Sequence, residues 1–134
     1  MERESCKVSV IVPIYRVERF IVRCARSLLE QTLAEAEFIF VDDASPDDSF
    51  RLLQEEIARH PERNGQVKLV RHEKNLGLPA ARNSGLAAAR GEYVFHCDSD
   101  DFVTVGTTSR GNVIEINKFA MECDHRILVG GIVF

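Results

Sequence analysis

The chain has 134 residues, of which 45% are apolar and 28% charged, with a formal net charge of −4. This length is typical of one folded domain with a single core, and the acidic balance argues against a nucleic-acid surface. The charged residues 1–7 do not resemble a signal peptide, no apolar run approaches the roughly 20 residues of a membrane span, and four widely spaced cysteines indicate neither zinc nor a disulfide framework. A protein of the reducing cytoplasm is expected.

The first third of the chain predicts a strand, a helix and a second strand. Val8 to Val12 is a β-branched run that Pro13 is expected to close. Glu37 to Val41 predicts the second strand, which stops at Asp42 and Asp43. Between them, apolar residues recur at the spacing of one buried helical face: Phe20, Ile21, Cys24, Leu28 and Leu29.

The middle of the chain repeats this alternation. Ser45-Pro46-Asp47-Asp48 predicts a helix start, because a hydroxyl cap, a proline at the first position and an acid three residues after the cap occur together. The helix that follows is expected to turn Phe50, Leu53 and Ile57 inward. Val67 to Val70 predicts a third strand.

A loop around Asn75 to Leu78 then leads into an alanine-rich helix, predicted from Pro79 to about Arg90 and ended by Gly91. Glu92 to Cys97 is the next predicted strand, and it runs into the acidic residues 98–101. Strands separated by helices imply right-handed crossovers and an α/β fold with a mainly parallel sheet covered on both faces.

Ligands of such sheets bind beyond the carboxyl ends of the strands, where this chain places polar groups after three strands. Pro13 to Tyr15, the pair Asp42 and Asp43, and the run from Asp98 to Asp101 are the candidates. Carboxylates at a strand end suit a hard cation that in turn holds phosphates, although acidic residues at such places also serve as turns and caps. Both interpretations remain open for each acidic pair on this ground alone.

Two common phosphate-binding motifs are absent. The segment after the first strand, Pro13 to Val17, contains no glycine and so has no GxGxxG fingerprint, and the chain contains no GxxxxGK[ST] loop. A cation held by carboxylates, with an arginine beside it, is the remaining way to hold a diphosphate.

Four segments together resemble the successive motifs of family 2 glycosyltransferases with the GT-A (Rossmann-like) fold. They are VSVIVPIY (residues 8–15), VDDASPDD (41–48), NLGLPAARNSG (75–85) and GEYVFHCDSDDF (91–102), in matching order and spacing. The resemblance covers residues 7–103 of what is expected to be a single domain, 1–134, with a divergent end at 104–134. It implies an inverting, metal-dependent transfer of a sugar from a nucleotide-diphosphate sugar, with UDP as the usual leaving group, to a saccharide or lipid-linked acceptor.

The resemblance also implies roles for individual residues. Pro13 and Tyr15 would line the base pocket, and Asp43 would accept a hydrogen bond from the uracil ring. Asp42 would lie near the ribose or support its loop, and Arg82 would steady the diphosphate or the acidic motif. The remaining two implied residues hold Mn²⁺ or Mg²⁺ at the DxD motif: Asp98, which would also meet the ribose, and Asp100.

The chain also departs from the family. Members are considerably longer, so the fold looks truncated, and Asp101, Glu115 and Glu122 do not match the motif of the general base, which is left unassigned. Ile114 to Cys123 is a candidate helix and Ile127 to Phe134 a candidate strand.

Two alternatives accompany the transferase hypothesis. One is a non-catalytic nucleotide-binding or interaction module of the same fold, and the other is a nucleotidyltransferase, which the missing glycine-rich loop disfavours. An uncovered sheet edge and the apolar segment 130–134 predict a homodimer or poor solubility. The location is expected to be cytoplasmic or peripheral to the membrane.

Overall fold

A computed structural model describes residues 6–100 and three further two-residue strands. Its elements in chain order are β1 (Val8–Ile14), α1 (Ile21–Leu29), β2 (Ala36–Asp42), α2 (Ser49–Ala58), a 3₁₀ helix (Pro61–Gln66), β3 (Val67–Arg71), α3 (Leu78–Ala88), β4 (Tyr93–His96), β5 (Gly106–Thr107), β6 (Val113–Ile114) and β7 (Ile127–Leu128).

The main sheet has the strand order β3-β2-β1-β4-β7, and each neighbouring pair is parallel. β5 and β6 form a separate antiparallel pair. β1 lies between β2 and β4, so the order of the strands reverses on its two sides, and a crevice for a ligand is expected at this switch point. The predicted α/β fold with a mainly parallel sheet is confirmed.

Helices cover both faces of the sheet, as predicted. On one face, the side chains of Val10 and Phe38 belong to a buried cluster that includes α1 and Leu53 of α2. On the other face, Ile11 and Ile39 pack with Ala81 of α3. All seven residues of β1 are buried, which is expected of a central strand covered on both sides.

β1 does not end at Pro13 as predicted but continues through it to Ile14. The Ile11 carbonyl accepts a hydrogen bond from the Cys97 N–H at 3.0 Å, so Ile11 and, two residues on, Pro13 face β4. β4 ends at His96, which pairs with Ile11. Because the strand partner has already ended, the missing N–H of the proline costs no ladder hydrogen bond.

The first two helices begin later than predicted. Phe20 is the residue before α1 and is 41% exposed, because the chain from Val17 to Phe20 is a turn in which the Val17 carbonyl accepts from the Phe20 N–H. The prediction that Phe20 belongs to the buried face of this helix is therefore wrong. Ser45 does not cap α2, which begins only at Ser49.

In α2, Leu53 is buried and Ile57 is partly buried, as predicted. Phe50 instead carries the Arg71 guanidinium over its ring, 4.0 Å from the centroid.

Glycines set the position of α3. Gly77, with φ of +96°, makes the bend before the helix, and a Cβ on Gly85 would collide with the Ile11 side chain across the sheet interface. Gly91 does not end the helix, which stops at Ala88. A Cβ at Gly91 would lie 2.7 Å from the Ser9 nitrogen, so this position allows close approach to β1.

Several predictions fall wholly or partly outside the described residues. Of the predicted final strand, Ile127–Leu128 is described and extends the sheet beside β4. Of the predicted helix from Ile114 to Cys123, only Ile114 is described, and it lies in β6. The segment 130–134 and the acids Asp101, Glu115 and Glu122 lie outside the described residues. None of the described helices is long and apolar enough to cross a membrane.

Candidate functional site

A cavity of about 460 Å³ opens where β1, β2 and β4 end, at the switch point of the sheet. It is lined mainly by the segments that follow these strands and by the start of α3. The sequence-predicted residues that line it are Pro13, Tyr15, Asp43, Asp98 and Asp100. Asp42 and Arg82, also predicted, are not among its lining residues.

An aromatic side chain stands at the open side of this cavity. Tyr15 follows β1 directly and is 41% exposed, and the Arg16 guanidinium lies over its ring at 5.3 Å from the centroid. Arg16 has a φ of 53°, and its N–H donates to Ser45 Oγ at 2.8 Å, which fixes the backbone next to Tyr15. A planar base can stack on a phenol ring held in this way.

Asp43 is buried in the cavity wall and organises the loop before α3. Its Oδ1 accepts hydrogen bonds from His72 Nδ1 and the Leu76 N–H, both at 2.8 Å, and its Oδ2 accepts from Asn75 Nδ2 at 3.1 Å and the Gly77 N–H at 3.0 Å. Burial works to raise the pKa of the carboxyl, but these donors outweigh it and lower the pKa. Four donors fill the capacity of one carboxylate, so a uracil N–H would have to compete with them.

Asp42 supports the loop after β2. Its Oδ1 accepts from the Ser45 N–H at 3.0 Å, and its Oδ2 lies 3.3 Å from Arg71 Nε. With 1% exposure, Asp42 has little surface to offer a ligand. Its contribution to ribose binding therefore stays a prediction.

The acidic loop after β4 is anchored through its backbone. The Asp98 carbonyl accepts from the thiols of Cys24 and Cys97, at 3.7 and 3.6 Å, and the Asp100 carbonyl accepts from Arg23 Nη2 at 3.4 Å. The contacts from Arg23 and Cys24 hold the main chain on α1, and Asp98 and Asp100 line the cavity.

Arg82 reaches this loop from α3. Its Nη2 lies 3.3 Å from Asp98 Oδ1, while its Nε and the Nδ1 of His96 are buried without a hydrogen-bond partner among the described residues. Burial lowers the pKa of His96, and the nearby Arg82 lowers it further against the opposing effect of Asp98. The histidine below the acidic loop is thereby favoured in its neutral form.

The acidic loop offers few ligands for a metal. Within residues 6–100, no group of three or more His, Cys, Asp or Glu side chains is arranged to hold an ion. Two carboxylates, Asp98 and Asp100, fit a Mg²⁺ or Mn²⁺ ion that takes its other ligands from water and from a diphosphate, which is the usual pattern for magnesium bound with nucleotides. These two carboxylates fit such a cation.

Sequence reasoning missed His72, whose ring nitrogens contact Asp43 and Ser84 Oγ, the latter at 2.7 Å. The residue follows β3 as Asp43 follows β2, so the rule that selected the acidic strand ends also applied to it. Asn75, which was not assigned a role, lines the cavity as well.

The family is shown by a match to known proteins. The family model Glycosyl transferase family 2 matches residues 9–110, about three quarters of the chain. The chain belongs to this family. The match begins close to the start of the predicted motif-bearing region and extends a few residues beyond its end at 103.

Individual relatives agree with this assignment. The chain is 43% identical over 97 residues, 72% of its length, to the uncharacterized glycosyltransferase EpsJ of Bacillus subtilis. S. aureus TarS in complex with UDP-GlcNAc matches 73% of the chain with a TM-score of 0.65 and 35% identity. The mannosyltransferase PcManGT of Pyrobaculum calidifontis, in complex with GDP-Man and Mn²⁺, matches 73% with a TM-score of 0.68 and 29% identity.

The chain spans 27% of the length of EpsJ and 28% of each of the two structures. The GT-A fold predicted from the sequence motifs is confirmed by these neighbours.

Proposed function

We propose that the cavity binds a nucleotide-diphosphate sugar, with UDP as the preferred nucleotide, and that the chain is the donor-binding part of a glycosyltransferase. The observation that carries this proposal is the composition of one cavity at the switch point. An aromatic ring, Tyr15, stands at its open side, and two carboxylates, Asp98 and Asp100, also line it. An aromatic ring can stack on a base, and two carboxylates can hold a divalent cation that binds a diphosphate.

Each part of the donor has a matching part of the cavity. The base stacks on Tyr15 beside Pro13, with Asp43 and Asn75 near its polar edge. Asp98 receives the ribose or a water molecule. Asp42 does not line the cavity and contributes by holding the loop after β2 in place.

The diphosphate is the strongest charge in such a donor. Mn²⁺ or Mg²⁺, held by Asp100 and Asp98, would offset this charge when bound. The relative PcManGT, in complex with GDP-Man and Mn²⁺, supports this assignment. Arg82, 3.3 Å from Asp98 and 40% exposed, supplies a second positive charge that can move from the carboxylate to a phosphate oxygen.

The proposed reaction is an inverting displacement at the anomeric carbon of the sugar. The oxygen of a saccharide or lipid-linked acceptor forms the new bond as the bond to the diphosphate breaks. Arg82 stabilises the developing negative charge of the leaving group, because its guanidinium brings a positive charge to the diphosphate oxygens. No residue of this chain is assigned as the base that removes the acceptor proton.

A calorimetric titration of the chain with UDP, with and without manganese, tests this proposal. We expect metal-dependent binding that Asp100→Asn weakens at least about tenfold, because the variant loses a charged ligand to the cation. Asp48→Asn is the matched control: it removes an exposed carboxylate 3.3 Å from Arg51, outside the cavity lining, and should bind as the unchanged protein does.

The competing function, a non-catalytic interaction module of the same fold, predicts a different result. Absence of UDP binding in the unchanged chain would overturn the donor-site proposal and favour that module. Equal losses in Asp100→Asn and Asp48→Asn would show that net charge, and not a metal ligand, governs binding.

A further inference from the structure

One half-buried histidine connects the ends of β2 and β3 with α3, beside the cavity. His72 follows β3, and its side chain is 8% exposed. Nδ1 lies 2.8 Å from Asp43 Oδ1 after β2, and Nε2 lies 2.7 Å from Ser84 Oγ on α3. The backbone N–H of His72 also donates to the Asp42 carbonyl at 2.8 Å. Neither the ring nor Ser84 lines the cavity, so their effect on a ligand must pass through another residue.

The direction of these hydrogen bonds follows from the charge of Asp43. Its pKa is lowered, so the carboxylate is ionised near neutral pH and only accepts hydrogen bonds. Nδ1 of His72 therefore carries a proton and donates to Oδ1. Ser84 Oγ, 2.7 Å from Nε2, is the partner of the second ring nitrogen. Each polar atom of the ring has a partner, which fixes the ring between β2 and α3.

The same carboxylate holds the loop that forms part of the cavity wall. With Oδ1 held by His72, Oδ2 is directed toward Asn75 Nδ2 and the Gly77 N–H, and both residues line the cavity. Without the histidine, the carboxylate can rotate about its χ2 angle, a soft torsion with a broad preference. Rotation would release the hydrogen bonds from the Leu76 and Gly77 N–H groups together.

We infer that His72 is a positioning residue of the donor cavity, which sets the orientation of Asp43 and thereby the position of the wall at residues 75–77. This inference rests on the proposed function of the cavity. It assigns His72 no contact with the donor, and the hydrogen bond from Nδ1 to Asp43 is the part of the residue that matters.

Two amide substitutions separate the two nitrogens of the ring. The shorter amide of His72→Asn places its nitrogen at the position of Nδ1 and can still donate to Asp43. The longer amide of His72→Gln extends toward Ser84 and cannot reproduce the bond to Asp43. In titrations with UDP and manganese, we expect His72→Asn to stay within about threefold of the unchanged affinity and His72→Gln to lose about tenfold.

His60→Asn, whose shorter amide cannot reach the partner of Nε2, is the matched control for loss of a histidine bonded to a carboxylate. His60 is 12% exposed, and its Nε2 lies 2.8 Å from Glu56 Oε2 on α2, outside the cavity lining. This variant should melt at a lower temperature yet bind UDP as before. A merely structural role for His72 would give the same pattern in His72→Gln, and that result would overturn the inference.

Amide hydrogen exchange of Leu76 and Gly77 gives a second measurement, which needs no ligand. Both exchange rates should rise in His72→Gln and stay near the unchanged rates in His72→Asn, and equal rates in all three proteins would overturn the inference. If the unchanged chain fails to bind UDP, the proposed function fails. The exchange rates then still decide whether His72 holds this wall in place.

Discussion

Glu37 is a buried charge at the end of the sheet opposite the cavity. It is 2% exposed, yet it accepts hydrogen bonds from Ser9 Oγ and the Arg90 N–H, both at 2.5 Å, and pairs with Lys68 Nζ at 3.0 Å. Burial works to raise the pKa of the carboxyl, but these donors outweigh it and lower the pKa to about 2. A buried carboxylate with this many donors stabilises the fold only while it remains ionised.

The lowered pKa of Glu37 contributes to the stability of the fold in acid. Because the folded pKa of Glu37 is about 2 and its ordinary value 4.5, its contribution is complete above pH 4.5 and disappears as the pH falls toward 2. The contribution is on the order of 3 kcal/mol. We expect the free energy of unfolding, measured in urea, to fall over this range more steeply for the unchanged protein than for Glu37→Gln.

The control for this experiment is Glu55→Gln. Glu55 is 53% exposed and pairs only with Arg51 on its own helix among the described residues. Its substitution should leave the pH profile unchanged. Parallel profiles for Glu37→Gln and the unchanged protein would contradict the prediction.

The residues of the site that could be predicted are those that follow a strand. Tyr15, Asp98 and Asp100 line the cavity because the carboxyl ends of parallel strands meet at one edge, a rule that needs no knowledge of partners. The hydrogen bond between His72 and Asp43 joins residues that are far apart in the chain, so no local sequence pattern predicts it. The same holds for the partners of Glu37, which come from three different segments.

The start of α2 shows how a capping pattern can be misassigned by a few residues. The carboxylate that receives the first N–H of the helix belongs to Asp47: its Oδ1 accepts from the Ser49 N–H at 3.1 Å and from Ser49 Oγ at 2.6 Å. Asp48 occupies the position before the helix but makes no capping bond with its side chain. Spacing alone favoured Ser45, because several neighbouring residues all have the chemistry of a cap.

Substitution of the two aspartates tests whether the residue before the helix, Asp48, or the residue that makes the capping hydrogen bond, Asp47, stabilises α2. Asp47→Ala should destabilise the protein by about 1 kcal/mol, the usual value of a helix cap. Asp48→Ala, which removes only an exposed pair with Arg51, should cost less than about 0.5 kcal/mol. Urea unfolding measures both, and a larger loss for Asp48→Ala would contradict the assignment.

The packing of α3 on the sheet depends on Gly85. Alanine is the better helix former by about 1 kcal/mol, but its Cβ would collide with the Ile11 side chain on the fully buried β1. We expect Gly85→Ala to lower the free energy of unfolding by about 1–3 kcal/mol in spite of that propensity. In the control, Gly65→Ala, a Cβ would have no atom within 4 Å and the effect should be small.

At the scale of the whole molecule, the alternation of strands and helices predicted a parallel sheet but not its strand order. The order depends on where each crossover returns, and both directions are compatible with the same pattern of apolar residues. The placement of β1 between β2 and β4, which creates the cavity, therefore became known only with the structure.

Association between copies of this chain remains a prediction at this scale. β3 lies at one edge of the sheet, and Leu69 on it is 40% exposed. Light scattering should show dimers as the concentration rises, and Leu69→Lys should reduce them because a charge on an edge strand opposes pairing. Leu86→Lys on α3, where the leucine is 50% exposed, is the control, and a monomer at every concentration would contradict the prediction.

The central position of β1 also sets the order in which a growing chain can fold on the ribosome. Val8 pairs with Ala36 on one side and with Tyr93 on the other, so the first edge of β1 is covered early in synthesis and the second only when β4 emerges. Until then, the half-built sheet presents an open edge beside apolar residues, a state that invites pairing with other nascent chains. At synthesis rates of about 5–20 residues per second, that exposure lasts for several seconds.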